Sequence, residues 1–235
     1  MTSLHNALRR RVPHYLLSAC VACLATTIGV VVWELAGDES FLTGSAPWLH
    51  VRHAHGFSYA QMPSLQNKTA VVTGASSGLG LAVARGLANA GCTVIATARS
   101  FDKCAKTTKV IGSGTCVAME LLELNSVYRA ARVVKEMAPS GIDFLVLNAG
   151  IMALPWTQTV DGFEQQWQVN VLGHFLLCRA LLPAMNDESG RVVHLSSRAH
   201  LRHPDPIDYQ RLDEEHRSDQ NYDRWLAYGR SKLAN

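Results

Sequence analysis

From residue 69 onward the chain alternates short apolar runs with longer stretches of helical character. TAVVT, TVIAT, TCVAMEL, DFLVL and RVVHLS are apolar at most positions rather than at every second one. That is the pattern of strands buried on both faces. The stretches between them predict helices running to about Ala90, near Asp102 to Val110, from about Ser126 to Met137, and from about Asp161 to Met185. Helix-length crossovers between buried strands predict an α/β fold, a doubly wound parallel sheet. No internal repeat or low-complexity tract interrupts it.

The N-terminal part has a different pattern. Residues 1–14 form a basic tail containing Arg9-Arg10-Arg11, and an uncharged apolar run from Tyr15 to Trp33 follows, closed by Glu34, Asp38 and Glu39. A run of this length can just span a bilayer as a helix, so residues 15–36 read as a transmembrane or signal-anchor segment. A cleaved signal or organelle-targeting segment is the rival reading, because a basic region ahead of an apolar one fits both. The flanking charges favour a cytosolic N-terminus with the folded domain on the far side. Residues 37–66, with Gly44, Pro47, Gly56 and Pro63 and no clear period, read as a linker, and residues 67–235 as the α/β domain. The histidines of HVRHAH in the linker lack acidic or thiol company and do not read as a metal site. Asn67-Lys68-Thr69 is a glycosylation sequon, but it abuts the first strand, which argues against glycan use.

Composition removes several function classes. Hydrophobic residues make up 48% and charged residues 17%, which excludes a disordered chain. A net charge of +3 without a long basic run argues against a nucleic-acid partner. The six cysteines include no repeated CxxC, which argues against a structural zinc site. Cys92, Cys104, Cys116 and Cys178 are scattered singles and read as core or surface residues rather than as a disulfide framework.

The first strand runs directly into Thr73-Gly74-Ala75-Ser76-Ser77-Gly78-Leu79-Gly80, where a helix begins. Glycines there allow a tight turn and close approach of the backbone to a diphosphate, and a helix N-terminus offers free N–H groups and a favourable dipole. Gly74, Ser76, Ser77, Gly78, Leu79 and Gly80 are therefore candidate cofactor-binding residues. No GK[ST] follows, so this is not a nucleotide-triphosphate P-loop. The second strand ends in Thr97-Ala98-Arg99 with no carboxylate for a ribose 2′-hydroxyl. A guanidinium there suits a 2′-phosphate, which favours NADP over NAD.

The TGxxxGxG spacing resembles the short-chain dehydrogenase/reductase family. Further pieces follow in that family's order: Asn148-Ala149-Gly150 after the fourth strand, Asn170 in QVNVLGHFLL, Ser197 in VVHLSSRAH, and Tyr228-Gly229-Arg230-Ser231-Lys232. The resemblance implies a Rossmann-type fold and hydride transfer between NADP(H) and a carbonyl or alcohol. In that reading Tyr228 is the general acid/base and Lys232 tunes it and binds the nicotinamide ribose. Ser197 orients the substrate oxygen, and Asn170 holds a water of the proton relay. Asn148, Ala149 and Gly150 line the cofactor, and Glu123-Leu124 replaces the family's usual aspartate near the adenine. Tyrosine and lysine four apart share a helix face, and a lysine cation stabilises a phenolate.

DGFE, VNVLGHFLL, SSRAH and YGRSKLAN most resemble the branch containing retinol dehydrogenases, the WW-domain oxidoreductase and protochlorophyllide reductases. That branch implies a lipophilic retinoid- or steroid-like substrate, a membrane location such as the endoplasmic reticulum, and a possible homodimer. The charged stretch between Ser197 and Tyr228 is expected to be a surface insertion at the substrate mouth. The family fold continues with two more strands after the position of Asn235, so the chain is expected to be C-terminally incomplete. The competing reading is a membrane-tethered nucleotide-binding or interaction module without turnover.

Overall fold

The computed structural model describes residues 61–235, apart from 113 and 203–205. The proposed basic tail, apolar segment at 15–36 and most of the linker, HVRHAH included, lie outside the described residues. Among the described residues no helix is long and apolar enough to cross a membrane.

Five strands form one parallel sheet: β1 (Thr69–Val72), β2 (Thr93–Ala98), β3 (Thr115–Ala118), β4 (Phe144–Leu147) and β5 (Arg191–His194), in the order β3-β2-β1-β4-β5. The register places Val71 beside Ile95 and Leu145, all at most 1% exposed. Burial on both faces explains why these strands are continuously apolar. Each such side chain contributes about 1.5–3 kcal/mol on leaving water.

The crossovers are α1 (Gly78–Asn89), α2 (Phe101–Ile111), α3 (Leu124–Met137), and a continuous helical run between β4 and β5. That run comprises α4 (Gln165–Trp167), a π-helical turn (Gln168–Leu172) and α5 (Gly173–Leu181). It starts later than the expected Asp161. Gly162 has a φ of 87° in the preceding turn, and Glu164 caps the helix by accepting from the N–H groups of Gln166 and Trp167. The third strand is also shorter than TCVAMEL. The Met119 N–H still bonds the Ala98 carbonyl, but the chain then turns on Glu120, whose Oε1 accepts from Leu122 N.

One expectation is corrected. Cys104 on α2 and Cys116 on β3 form a disulfide. The α2–β3 packing brings together two residues twelve apart that look unrelated in sequence. The stretch between Ser197 and Tyr228, expected as a surface insertion, is largely exposed but carries its own helices. It contains a 3₁₀ turn (Arg198–Arg202) and α6 (Tyr209–Arg217), and leads into α7 (Arg224–Ala234). Leu212 and Glu215 of α6 are buried. The Glu215 carboxylate accepts two bonds from the Arg230 guanidinium, at 2.7 and 2.8 Å, with Arg230 only 2% exposed. Trp156 Nε1 donates to the Glu215 carbonyl at 2.7 Å, and the Glu164 N–H to His216 Nδ1 at 3.1 Å. Tyr222 donates to Glu164 at 2.8 Å. Burial holds the Glu164 carboxyl above the usual carboxylate range. These bonds fasten α6 and α7 to the segment ahead of α4.

At the opposite, N-terminal end of the sheet, Asp143 joins β1 to β4. Burial opposes its charge, but bonds from Thr69 N, Lys68, Asn186 and Ser189 outweigh that and hold the carboxyl down at about 2. An unfolded aspartate titrates near 3.9. The group therefore stabilises the fold fully above that value, and the contribution is lost as pH falls towards the folded value of about 2. Asp143→Asn is expected to cost about 1.5–3 kcal/mol at neutral pH. It should also flatten the acid limb of a denaturation series, measured by chemical unfolding from neutral to acid pH.

Candidate active site

The sheet order reverses between β1 and β4. Ligand-binding crevices form at the carboxyl ends of the strands on either side of such a reversal. Here the two loops leaving β1 and β4 are locked together. Thr73, fully buried, accepts at Oγ1 from the backbone N–H groups of Asn148 and Ala149, both at 2.9 Å. The Asn148 side chain donates back to the Thr73 carbonyl at 2.8 Å. With both acceptor sites of the hydroxyl used, its proton goes to His174 Nε2, 3.0 Å away. That fixes the His174 tautomer, whose Nδ1–H donates to the Asn170 carbonyl at 3.1 Å. Burial, helped by His194, pushes His174 down to about 3, so the ring stays neutral as this network requires. His174 was not singled out from sequence. A histidine in an apolar helix carries no sequence mark of such a role.

The glycine loop is built for close approach. Gly74 has a φ of 65°, and a Cβ there would lie 2.9 Å from the Ala149 Cα. A Cβ on Gly80 would lie 2.3 Å from Asn148 Nδ2 and 2.5 Å from the Gly74 carbonyl oxygen. Above Gly78, φ 55°, there is open space. The N-cap of α1, Ser77, makes no side-chain capping bond, and the first turn carries no acidic residue. An uncapped helix N-terminus beside open space fits an anionic group. The Ala75 N–H bonds the Thr97 carbonyl at 3.1 Å, which brings the loop against the end of β2, where Arg99 is exposed.

Past β3 lie the residues expected near the adenine. Glu123 sits at the N-cap of α3 and its carboxylate pairs with Arg129 at 2.9 Å, while Leu124 N donates to Asp161. Glu120 is the first carboxylate after the strand.

On the other side of the crevice, α7 is held against the π-helical turn and the loop leaving β5. Ser231 receives a bond from Asn170 Nδ2 at 2.9 Å, Lys232 Nζ donates to the Leu195 carbonyl at 2.8 Å, and Ser196 donates to the Lys232 carbonyl at 2.6 Å. Asn170, fully buried, lies in the π-helical turn. Its Oδ1 accepts from Ile151 N and its Nδ2 donates to the Ile151 carbonyl, both at 3.0 Å, which shapes the loop after Gly150. A π turn displaces one residue from the helical repeat, a feature often found at functional sites. A Cβ on Gly150 would lie 3.2 Å from Asn170 Oδ1 and 3.8 Å from Lys232 Nζ, so these three residues converge. Burial lowers Lys232 to about 8, and the residue is 6% exposed. Tyr228 is half-buried, one turn ahead of Lys232 on the same helix. Ser197 accepts from Ala199 N at 3.2 Å, and its own proton has no acceptor among the described residues.

The arrangement fits a dinucleotide. Among the described residues it offers N–H groups without a side-chain cap and open space at α1, a convergent buried ammonium near Gly150, and a hydroxyl at the end of β5 whose proton has no acceptor.

Comparisons with known proteins agree. The family model described as short chain dehydrogenase matches residues 68–205. Mouse retinol dehydrogenase 13 is 38% identical over 179 residues, which cover 73% of this chain and 52% of that protein. The Drosophila melanogaster WW domain-containing oxidoreductase is 35% identical over 73% of this chain and 43% of its own length. Among solved structures, an uncharacterized protein from Mycobacterium paratuberculosis is 43% identical with a TM-score of 0.66, covering 76% of this chain and 62% of that one. A Pseudomonas aeruginosa RhlG/NADP active-site complex is 29% identical with a TM-score of 0.55, covering 73% and 62%. The chain thus spans about half the length of the curated relatives it matches. The locked β1 and β4 loops, the motifs in order and these likenesses together place the chain in the short-chain dehydrogenase/reductase family, whose members use nicotinamide nucleotides, on the side of the retinol dehydrogenases and the WW-domain oxidoreductase.

Proposed function

We propose that the protein is an NADP-dependent oxidoreductase acting on a lipophilic carbonyl or alcohol, held at a membrane by residues 15–36. The observation that carries this reading is the convergence of Gly150 and Asn170 with Lys232 of α7, the helix that also bears Tyr228. The bound nicotinamide supplies or accepts the hydride. The chain's own residues handle the proton and the charge. In the reductive direction the Ser197 hydroxyl donates to the carbonyl oxygen and polarises it. Tyr228 gives its proton to that oxygen as negative charge develops there. The Lys232 ammonium stabilises the phenolate that remains and holds the ribose hydroxyls. Asn170 fixes both sides of the crevice, bonding the loop after Gly150 and Ser231 on α7, and its position suits the anchoring of a relay water.

Phosphate binding falls to the N–H groups at Ser76 through Gly80, and the choice of nucleotide to Arg99 at the end of β2. Support for NADP comes from the absence of a carboxylate there and from the likeness to an NADP complex. The adenine side is assigned to Glu123 and Leu124, with Glu120, the first carboxylate after β3, as the alternative carboxylate. An anchored domain would meet retinoid- or steroid-like substrates from the bilayer, in the endoplasmic reticulum or another endomembrane.

Exchanging Arg99 for alanine tests the cofactor assignment. Affinity for NADPH should fall about 10- to 100-fold with NADH binding unchanged, because one charge-assisted pair to the 2′-phosphate is lost. Fluorescence titration of both nucleotides reads this directly. An equal loss for both would assign Arg99 to general phosphate steering, and no loss for either would remove it from the site.

A further inference from the structure

We infer that Asn67 is an N-glycan attachment site, and that the α/β domain folds in an oxidising lumen. The observation is a turn. Leu65 N donates to the Ala90 carbonyl at 2.8 Å, and Lys68 N closes the turn onto the Leu65 carbonyl at 3.1 Å. Each neighbour of Asn67 is committed to the body of the domain. Gln66 packs over Gly91, where a Cβ would lie 2.8 Å from Gln66 Nε2. Lys68 reaches Asp143 at 2.9 Å. Thr69 begins β1 and is tied by its backbone N–H to the same carboxylate. Asn67 alone stands at the apex, exposed, with a φ of 63°, and its side chain has no partner among the described residues. Asparagine tolerates that left-handed conformation better than other branched or long side chains. Asn67-Lys68-Thr69 is the one N-x-[ST] sequence in the 235 residues. The turn precedes β1, at the end of the sheet away from the glycine loop and Tyr228, so a glycan there leaves the crevice open. The position against the strand, which in sequence argued against a glycan, is in three dimensions what presents the residue.

The second observation is independent. Cys104 and Cys116 are joined. Stable disulfides belong to the secretory lumen or cell exterior and are uncommon in the cytosol. Of the remaining described thiols, Cys92 is 4% exposed and donates to the Lys68 carbonyl, and burial pushes it up to about 11. Burial also raises Cys178.

The chemistry balances with two luminal co-reactants. The Asn67 amide nitrogen attacks the anomeric carbon of a lipid-diphosphate-linked oligosaccharide. The new C–N bond replaces the C–O bond to phosphate, the lipid diphosphate leaves with the electron pair, and a base of the transferring enzyme takes the amide proton. The Cys104 and Cys116 thiols give two electrons and two protons to a protein disulfide oxidant, which becomes a dithiol.

The test is expression of the full chain in eukaryotic cells, followed by glycosidase digestion, gel mobility and peptide mass spectrometry. One glycosidase-sensitive shift is expected in the wild type. It should be lost in Asn67→Gln and in Thr69→Ala, and kept in Thr69→Ser, which preserves the acceptor sequence. Digestion with the amide-cleaving glycosidase should convert residue 67 to aspartate. Cys104 and Cys116 should resist alkylation until reduced. An insensitive wild type, or a shift that survives Asn67→Gln, overturns the glycan assignment. Alkylation of Cys104 and Cys116 without reduction overturns the luminal placement. The Thr69→Ser variant guards against a folding artefact.

Discussion

Replacing Tyr228 with phenylalanine is expected to lower kcat by about 10²- to 10⁴-fold, the contribution of a positioned general acid/base. Only the hydroxyl oxygen is removed from a half-buried ring, so α7 keeps its fastenings: Ser231 to Asn170, Lys232 to Leu195 and Ser196 to Lys232. NADPH affinity should therefore stay within a few-fold of wild type, and the loss should fall on kcat. A loss confined to KM would mean that Tyr228 binds substrate without transferring the proton. Unchanged kcat would remove Tyr228 from the chemistry altogether. Lys232→Met should instead impair both, because the ammonium is assigned to the phenolate and to the ribose.

The second large effect concerns stability. Arg230 lies between Tyr228 and Lys232, and is 2% exposed with both terminal nitrogens on Glu215. Removing one partner strands a buried charge, since Arg211 reaches Glu215 through one longer bond of 3.3 Å. Arg230→Met is expected to cost about 3–5 kcal/mol, read from chemical denaturation. Changing Glu215 to leucine in the same chain should recover much of that, because an apolar pair avoids the uncompensated charge. If single and double variants are equally unstable, the pair is not the fastening. The same pair joins α6 to the helix carrying Tyr228. The double variant should therefore be closer to wild type in stability than in turnover, because small displacements of reacting groups cost rate steeply.

The strands were legible because burial on both faces writes itself as continuous apolar runs: VIAT lies wholly within β2 and FLVL is β4. The boundaries were less so. Met119 still bonds the sheet while Glu120 already turns the chain, and hydrophobicity does not separate those two roles. α6 escaped notice for a physical reason. Its sequence YQRLDEEHR is nearly all polar, and its inward face consists of Leu212 and a carboxylate paired with an arginine fifteen residues on. No apolar stripe announces a helix that is held by a buried ion pair. The Cys104–Cys116 bond depends on α2 packing against β3, which spacing alone does not reveal.

The chemistry-bearing residues were easier to find than the groups that hold them. Asn170, Ser197, Tyr228 and Lys232 stand in recognisable motifs. His174, which links Thr73 to the Asn170 carbonyl, and Glu215, which holds Arg230, stand in none. The π-helical turn at Asn170 is likewise invisible in QVNVLGHFLL, because the extra residue is accommodated by backbone geometry rather than by a marker side chain.

The central claim is hydride transfer at this site, and isotope transfer tests it most directly. The full chain, in membranes or detergent, would be given NADPH deuterated at the reactive carbon of the nicotinamide together with a panel of lipophilic aldehydes and ketones. Deuterium is expected on the carbinol carbon of at least one product, detected by mass spectrometry, and should be lost in the Tyr228→Phe protein. Saturable NADPH binding with no deuterium in any product would contradict that claim, and would favour a nucleotide-binding module without turnover.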